Sequence, residues 1–133
     1  MATEKIVCDT DVMIDYWDAS QSRHAETKTI LERTIGLDNV VLSAITKMEL
    51  MTGATNKADL ARISKKLERF NIALLNGDIT LKSFELLHSY YLSHGLSLAD
   101  SMIASTAIIA DLELFTYNVR DYKFISQLSL FKQ

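Results

Sequence analysis

The chain of 133 residues has no proline, four glycines and a single cysteine. With so little proline and glycine it has no linker composition, and neither a low-complexity segment nor an internal repeat is present. One cysteine, Cys8, excludes an internal disulfide; set inside a short apolar run, it reads as a small core residue with no catalytic role. Long hydrophobic runs are missing too. Asp, Lys or Ser interrupts every apolar stretch well before the length of a membrane span. Met1-Ala2-Thr3-Glu4-Lys5 leads directly into the first apolar run, so the expectation is a cytoplasmic protein without an export signal. Nor is there an excess of basic charge. Fourteen Lys and Arg against 17 Asp and Glu give a net charge of −3, so the chain as a whole is no electrostatic trap for nucleic acid, and any such binding has to be local and helped by bound cations. What remains is ordinary: 48% hydrophobic and 23% charged residues, in a length that suits one domain over residues 1–133.

Short apolar runs alternate with helical patterns. Ile6-Val7-Cys8 reads as a buried strand that stops on Asp9 and Asp11, and Val12–Tyr16 as a short helical turn. After the polar break at residues 18–21, Ser22 is the expected cap of a helix from Arg23 to about Ile35, stopped by Gly36. Val40-Val41-Leu42 is a second strand, and Ile45–Met51 a helix closed near Gly53. In Ala58–Phe70, Leu60, Ile63, Leu67 and Phe70 share one helical face, while Arg62, Lys65, Lys66 and Arg69 share another. Ile72–Leu75 gives a third strand; Asp78 is the expected cap of a helix from Ile79 to about Ser93, stopped by Gly95. Leu98–Ala110 is apolar or small almost throughout and therefore predicts a buried helix. Leu114-Phe115-Thr116 is a fourth strand, Val119–Ile125 a short helix, and Leu128–Phe131 a possible fifth strand. This alternation predicts a three-layer α/β/α sandwich, Rossmann-like, around a mostly parallel sheet.

Four acids fall at strand ends or at the helix starts beside them: Asp9, Glu49, Asp100 and Asp121. In open parallel sheets ligands collect outside the carboxyl ends of strands, and if the first and fourth strands are neighbours with diverging connections, Asp9 and Asp121 meet at the switch point. Asp100 is the most telling by physics alone, because an unpaired carboxylate in the first turn of a buried helix costs several kcal/mol. Each acid also has a plainer role. Asp9 or Asp11 could cap the first helix, Glu49 could close a capping box with Thr46, and Asp100 one with Ser97. Unrelated caps would be scattered, whereas a metal site puts acids at successive strand ends without a cation beside them, and no Lys or Arg flanks Asp9 or Asp100. Carboxylate oxygens of this kind suit hard divalent cations such as Mg²⁺. His24, His88 and His94 fit no ligand spacing and read as peripheral.

Asp9-Thr10-Asp11-Val12-Met13-Ile14-Asp15, Leu42–Leu50, Leu98–Ala104 and Thr116-Tyr117-Asn118-Val119-Arg120-Asp121-Tyr122 resemble, in order and spacing, the four signature segments of PIN-domain ribonucleases, most closely VapC-type toxins. The likeness runs from about Ile6 to Ile125. It implies a PIN-like fold and an acidic site for Mg²⁺, with Mn²⁺ as a substitute, made of Asp9, Glu49, Asp100 and Asp121. Thr10, Thr116 and Asn118 would be its supporting polar groups. It also implies endoribonuclease action leaving 5′-phosphate and 3′-hydroxyl ends, a homodimer, and a cognate antitoxin that inserts a segment near the acidic pocket. Asp11 stands where the family often has Asn, and its added charge either tightens cation binding or caps the helix, the cap being the favoured reading; Tyr122 stands where Phe is common.

For guiding RNA, Arg120 and Lys123 lie beside the acids, and the stripe Arg62, Lys65, Lys66 and Arg69 is a second candidate whose plainer reading is a solvated helix face. Two rival readings stay open. Asp9-Thr10-Asp11-Val12 also fits the start of the haloacid-dehalogenase phosphatase signature, with Asp9 as nucleophile, although Met13 departs from it and later segments are lacking. The other is a PIN-like module that binds RNA or protein without catalysis.

Overall fold

A computed structural model describes residues 4–133. The reading of the first three residues as running straight into a strand lies outside them. Four strands, β1 (Ile6–Cys8), β2 (Val40–Ser43), β3 (Asn71–Ala73) and β4 (Glu113–Phe115), pair in the order β3-β2-β1-β4, all parallel. Parallel neighbours need crossovers, and these are the helices α1 (Thr10–Trp17), α2 (His24–Thr29, running on as a wider π turn over Ile30–Ile35), α3 (Ala44–Thr52), α4 (Lys57–Leu67), α5 (Gly77–His94) and α6 (Leu98–Ala110).

Side chains of a strand alternate faces, and the core divides accordingly. Ile6 and Cys8 of β1, Val40 and Leu42 of β2 and Phe115 of β4 pack with Val12, Met13, Leu31 and Leu67 on one side of the sheet. Val7, Val41 and Leu114 pack with Leu86, Ile103, Ala104 and Ala107 on the other. Both faces are thus covered, which is why the strands read as short continuous apolar runs. The predicted three-layer architecture is what forms.

Several local expectations change. Arg23, not Ser22, precedes α2, without a side-chain cap bond. Asn76 rather than Asp78 caps α5: its Oδ1 accepts the Ile79 amide at 2.9 Å, the usual reach of a cap to the third residue on. Gly36 and Gly95 end their helices at φ of +89° and +70°, where a side chain would be strained. The predicted helix at Val119–Ile125 is only a tight turn over Val119–Asp121, and the fifth strand shrinks to one parallel bridge from Leu114 to Leu130. Helix α4 ends at Leu67 rather than Phe70, and of the expected apolar face Leu67 and Phe70 are buried, Ile63 is half-buried against the core and Leu60 is exposed. Helix α6 is buried along the face carrying Ile103, Ala104 and Ala107, yet Leu98 at its start is 64% exposed.

Candidate active site

Strand β1 lies between β2 and β4, so the connections leaving it and β4 diverge at its carboxyl end. Asp9 sits there, 5% exposed, its amide donating to the Phe115 carbonyl at 2.9 Å. It is the residue that caps α1, with Oδ1 accepting the Thr10 amide at 2.8 Å, while Oδ2 accepts the Thr116 hydroxyl at 2.8 Å. Thr116 Oγ1 is itself held by the Asn118 amide at 3.0 Å. The polar loop after β4 therefore does what its residues suggest, orienting Asp9, although Asn118 contributes its backbone here.

Asp11 is not the helix cap. Its Oδ1 accepts the Val12 amide at 2.8 Å and its Oδ2 the Tyr117 amide at 3.0 Å, tying the start of α1 to the loop after β4. Glu49, on α3, forms no capping box either, since Ser43 caps that helix through the Ile45 amide at 3.1 Å. Instead Glu49 Oε1 receives the Thr10 hydroxyl at 2.6 Å, with Thr46 Oγ1 3.1 Å from the same hydroxyl. Ser97 does cap α6, accepting the Asp100 amide at 3.0 Å, and Asp100 Oδ1 accepts the Tyr122 hydroxyl at 3.0 Å. Asp121 lies on the exposed turn just before Tyr122.

Three of these acids, Asp9, Asp11 and Asp100, sit in surroundings unfavourable to negative charge. Burial, then the Asp11 charge, pushes the Asp9 carboxyl up to about 7; hydrogen bonds from Thr116 and Thr10 oppose this, and Asp100 adds to it. Asp11 is raised chiefly by burial. Asp100 is raised by burial, against the pull of Tyr122, with the charges of Asp121 and Glu49 adding to it. Among the described residues none of these five acids makes an ion pair, and no three His, Cys, Asp or Glu side chains stand close enough together to hold a metal ion. The acids share a field rather than a finished coordination shell. As donors they are hard carboxylate oxygens lacking counter-charge, which fits Mg²⁺ or Mn²⁺ in kind.

The other marked residues fall into two groups. Arg120 and Lys123 are exposed beside Asp121. Of the basic stripe, Arg62 on α4 is held by Asp59 at 2.6 Å, Arg69, which falls beyond the end of α4, by Asp38 at 3.0 Å, and Lys66 lies over the Trp17 ring at 5.6 Å, so most of the stripe is already engaged; Lys65 is exposed. His24, His88 and His94 are peripheral as expected. Tyr122 has no role in the reading of the sequence, yet it touches the site: it is 1% exposed, with burial and the charges of Asp9 and Asp100 holding its hydroxyl far toward the protonated form. The signal available was a tyrosine beside an acid where phenylalanine would pack as well.

The PIN domain model matches residues 6–125. The chain belongs to the PIN-domain family. A toxin-antitoxin complex from Klebsiella pneumoniae is similar at 32% identity, over 93% of this chain and 95% of that one, with a TM-score of 0.74. VapBC-1 from nontypeable Haemophilus influenzae is similar at 25% identity, over 96% of each chain, with a TM-score of 0.73. VapC20 from Mycobacterium tuberculosis, described as a Sarcin-Ricin loop cleaving toxin, shares the fold at 14% identity, over 85% of this chain and 88% of that one, with a TM-score of 0.68. No curated protein matches the sequence. Among the described residues no helix is long and apolar enough to cross a membrane.

Proposed function

We propose that this PIN domain is the toxin of a VapC-like toxin-antitoxin pair and acts as a Mg²⁺-dependent endoribonuclease through Asp9, Glu49, Asp100 and Asp121. The observation that carries the reading is Asp9, buried at the switch point with its carboxyl pushed up to about 7 and no cation paired to it among the described residues. Asp9 and Asp100 supply the charge that would hold a divalent cation, with Glu49 and Asp121 alongside. The chemistry such a cation supplies is Lewis acidity, which activates a water and offsets charge building on the phosphate during in-line attack. The chain's own polar groups preorganise the acids: Thr116 fixes Asp9, and Thr10 fixes Glu49. Arg120 and Lys123, exposed beside Asp121, would meet the RNA phosphates. The test is cleavage of RNA in Mg²⁺ with sequencing of the ends produced. Asp9→Asn or Asp100→Asn protein that still cleaves would sink the assignment, and wild-type protein that fails to bind Mn²⁺ would point to the non-catalytic binding module. Family membership, with Asp11 tied to the Tyr117 amide, leaves the phosphatase reading without support.

For the antitoxin, a groove of about 440 Å³ opens beside Glu49, lined by Ile14, Trp17, Leu50 and Ile63. It offers apolar purchase for a segment that would reach the acids. For the homodimer, α5 presents Leu81, Phe84, Tyr91 and Leu92, all more than half exposed, within one stripe at helical spacing. Phe84→Glu is expected to shift the protein to monomer in sedimentation equilibrium; an unchanged mass would remove that face.

A further inference from the structure

Tyr122 closes the turn over Val119–Asp121, its amide donating to the Val119 carbonyl at 3.0 Å, and this sends its ring into the core with Val7, Leu114 and Ile125. A phenylalanine would fill that space equally. The hydroxyl is an added buried polar group, and such a group costs free energy unless it finds a partner. Its partner is Asp100 Oδ1 at 3.0 Å, in the first turn of α6, and the Asp9 carboxylate lies near enough to bear on it as well. The α6 cap fixes the backbone of Asp100 through Ser97, but a carboxylate on a half-exposed first turn keeps its own rotational freedom. A phenol anchored in the core, donating its one proton, removes that freedom.

We infer that Tyr122 is a positioning residue whose buried hydroxyl holds the Asp100 carboxylate in place beside Asp9, so that the cation affinity of this site depends on a group that a phenylalanine would not provide. The inference rests on the metal-dependent reading above and concerns Tyr122 alone. Groups that hydrogen-bond a ligating carboxylate typically shift metal affinity ten- to a hundredfold.

The measurement is a Mn²⁺ titration of the full chain, following free Mn²⁺ by electron paramagnetic resonance, for wild type, Tyr122→Phe and Asp100→Asn, with thermal unfolding of each in chelator. Tyr122→Phe is expected to bind Mn²⁺ about tenfold more weakly while unfolding close to the wild-type temperature, and its RNA cleavage is expected to recover as Mn²⁺ is raised. Wild-type affinity in Tyr122→Phe, with binding lost in Asp100→Asn, would overturn the inference and leave the metal site standing. Wild-type affinity in Asp100→Asn would bring down the metal site and the inference together. A weaker site accompanied by a large drop in unfolding temperature would return Tyr122 to packing alone.

Discussion

Asp9 and Asp15 stand at the two ends of one short segment and are buried to nearly the same degree, 5% and 7% exposed. Asp15 has the Arg23 Nε at 3.1 Å, a cation that in turn rests 4.1 Å from the centre of the Tyr117 ring. Asp9 has only a hydroxyl and an amide, and its charged neighbours are acids. The fold is thus able to supply a guanidinium to a buried carboxylate six residues from Asp9, and at Asp9 it does not. A protein that leaves charge uncompensated in one place while neutralising it close by marks that place for something brought from outside.

Activity should separate the two aspartates most sharply. Asp9→Asn is expected to lower RNA cleavage at least about a hundredfold, the scale on which removing one preorganised electrostatic group acts, whereas Asp15→Asn stays within a few-fold; equal losses in a single-turnover assay would erase the distinction. Stability should respond in the opposite sense. The folded-state pKa of Asp9 is raised from 3.8 to about 7, so its contribution favours the fold below about pH 4 and is lost as pH rises through about 7. In chelator, thermal unfolding should therefore show a decline across that window on the order of a few kcal/mol, and Asp9→Asn should flatten it. Added Mn²⁺ should restore stability more at pH 8 than at pH 5.5, because protons compete for the same carboxylate.

Arg23→Ala is expected to cost about 1–2 kcal/mol in chemical denaturation, less than a fully buried pair because Arg23 is half-exposed. Asp15→Asn should recover part of the loss. Smallest of all, charge reversal of Arg120 and Lys123 together should weaken RNA binding several-fold at low salt and flatten its salt dependence by about one or two phosphate contacts. Unchanged binding would take both out of the interface.

Much of this could be read from the chain before any coordinates. The strands announce themselves because both faces of the sheet are covered, and α6 keeps the bounds Leu98–Ala110 because Ser97 caps it and the apolar run ends at Asp111, which takes the left-handed conformation beyond it. Asp9 is visible as a strand-end acid and Asp100 as an acid in the first turn of a buried helix, neither with a cation beside it in the chain. What escapes a linear reading is whatever depends on a distant partner. Asp11 looks like a cap, yet its deciding bond is to an amide 106 residues away. Arg62 and Arg69 look like a free basic face, yet acids hold both, Asp38 coming from an unrelated turn. Tyr122 looks like a conservative swap for phenylalanine because a sequence does not say which atom its hydroxyl meets.

Those distant bonds also set a schedule. Asp9 is oriented by Thr116 and Asp11 is clasped to Tyr117, partners 107 and 106 residues further along the chain, while Asp100 waits for Tyr122. A chain still being synthesised carries Asp9 and Asp11 long before it can finish arranging the cluster, which waits for residues 116–122 to emerge. Under the proposed ribonuclease reading, topology alone would spare the machinery making the protein until Tyr122 is in place.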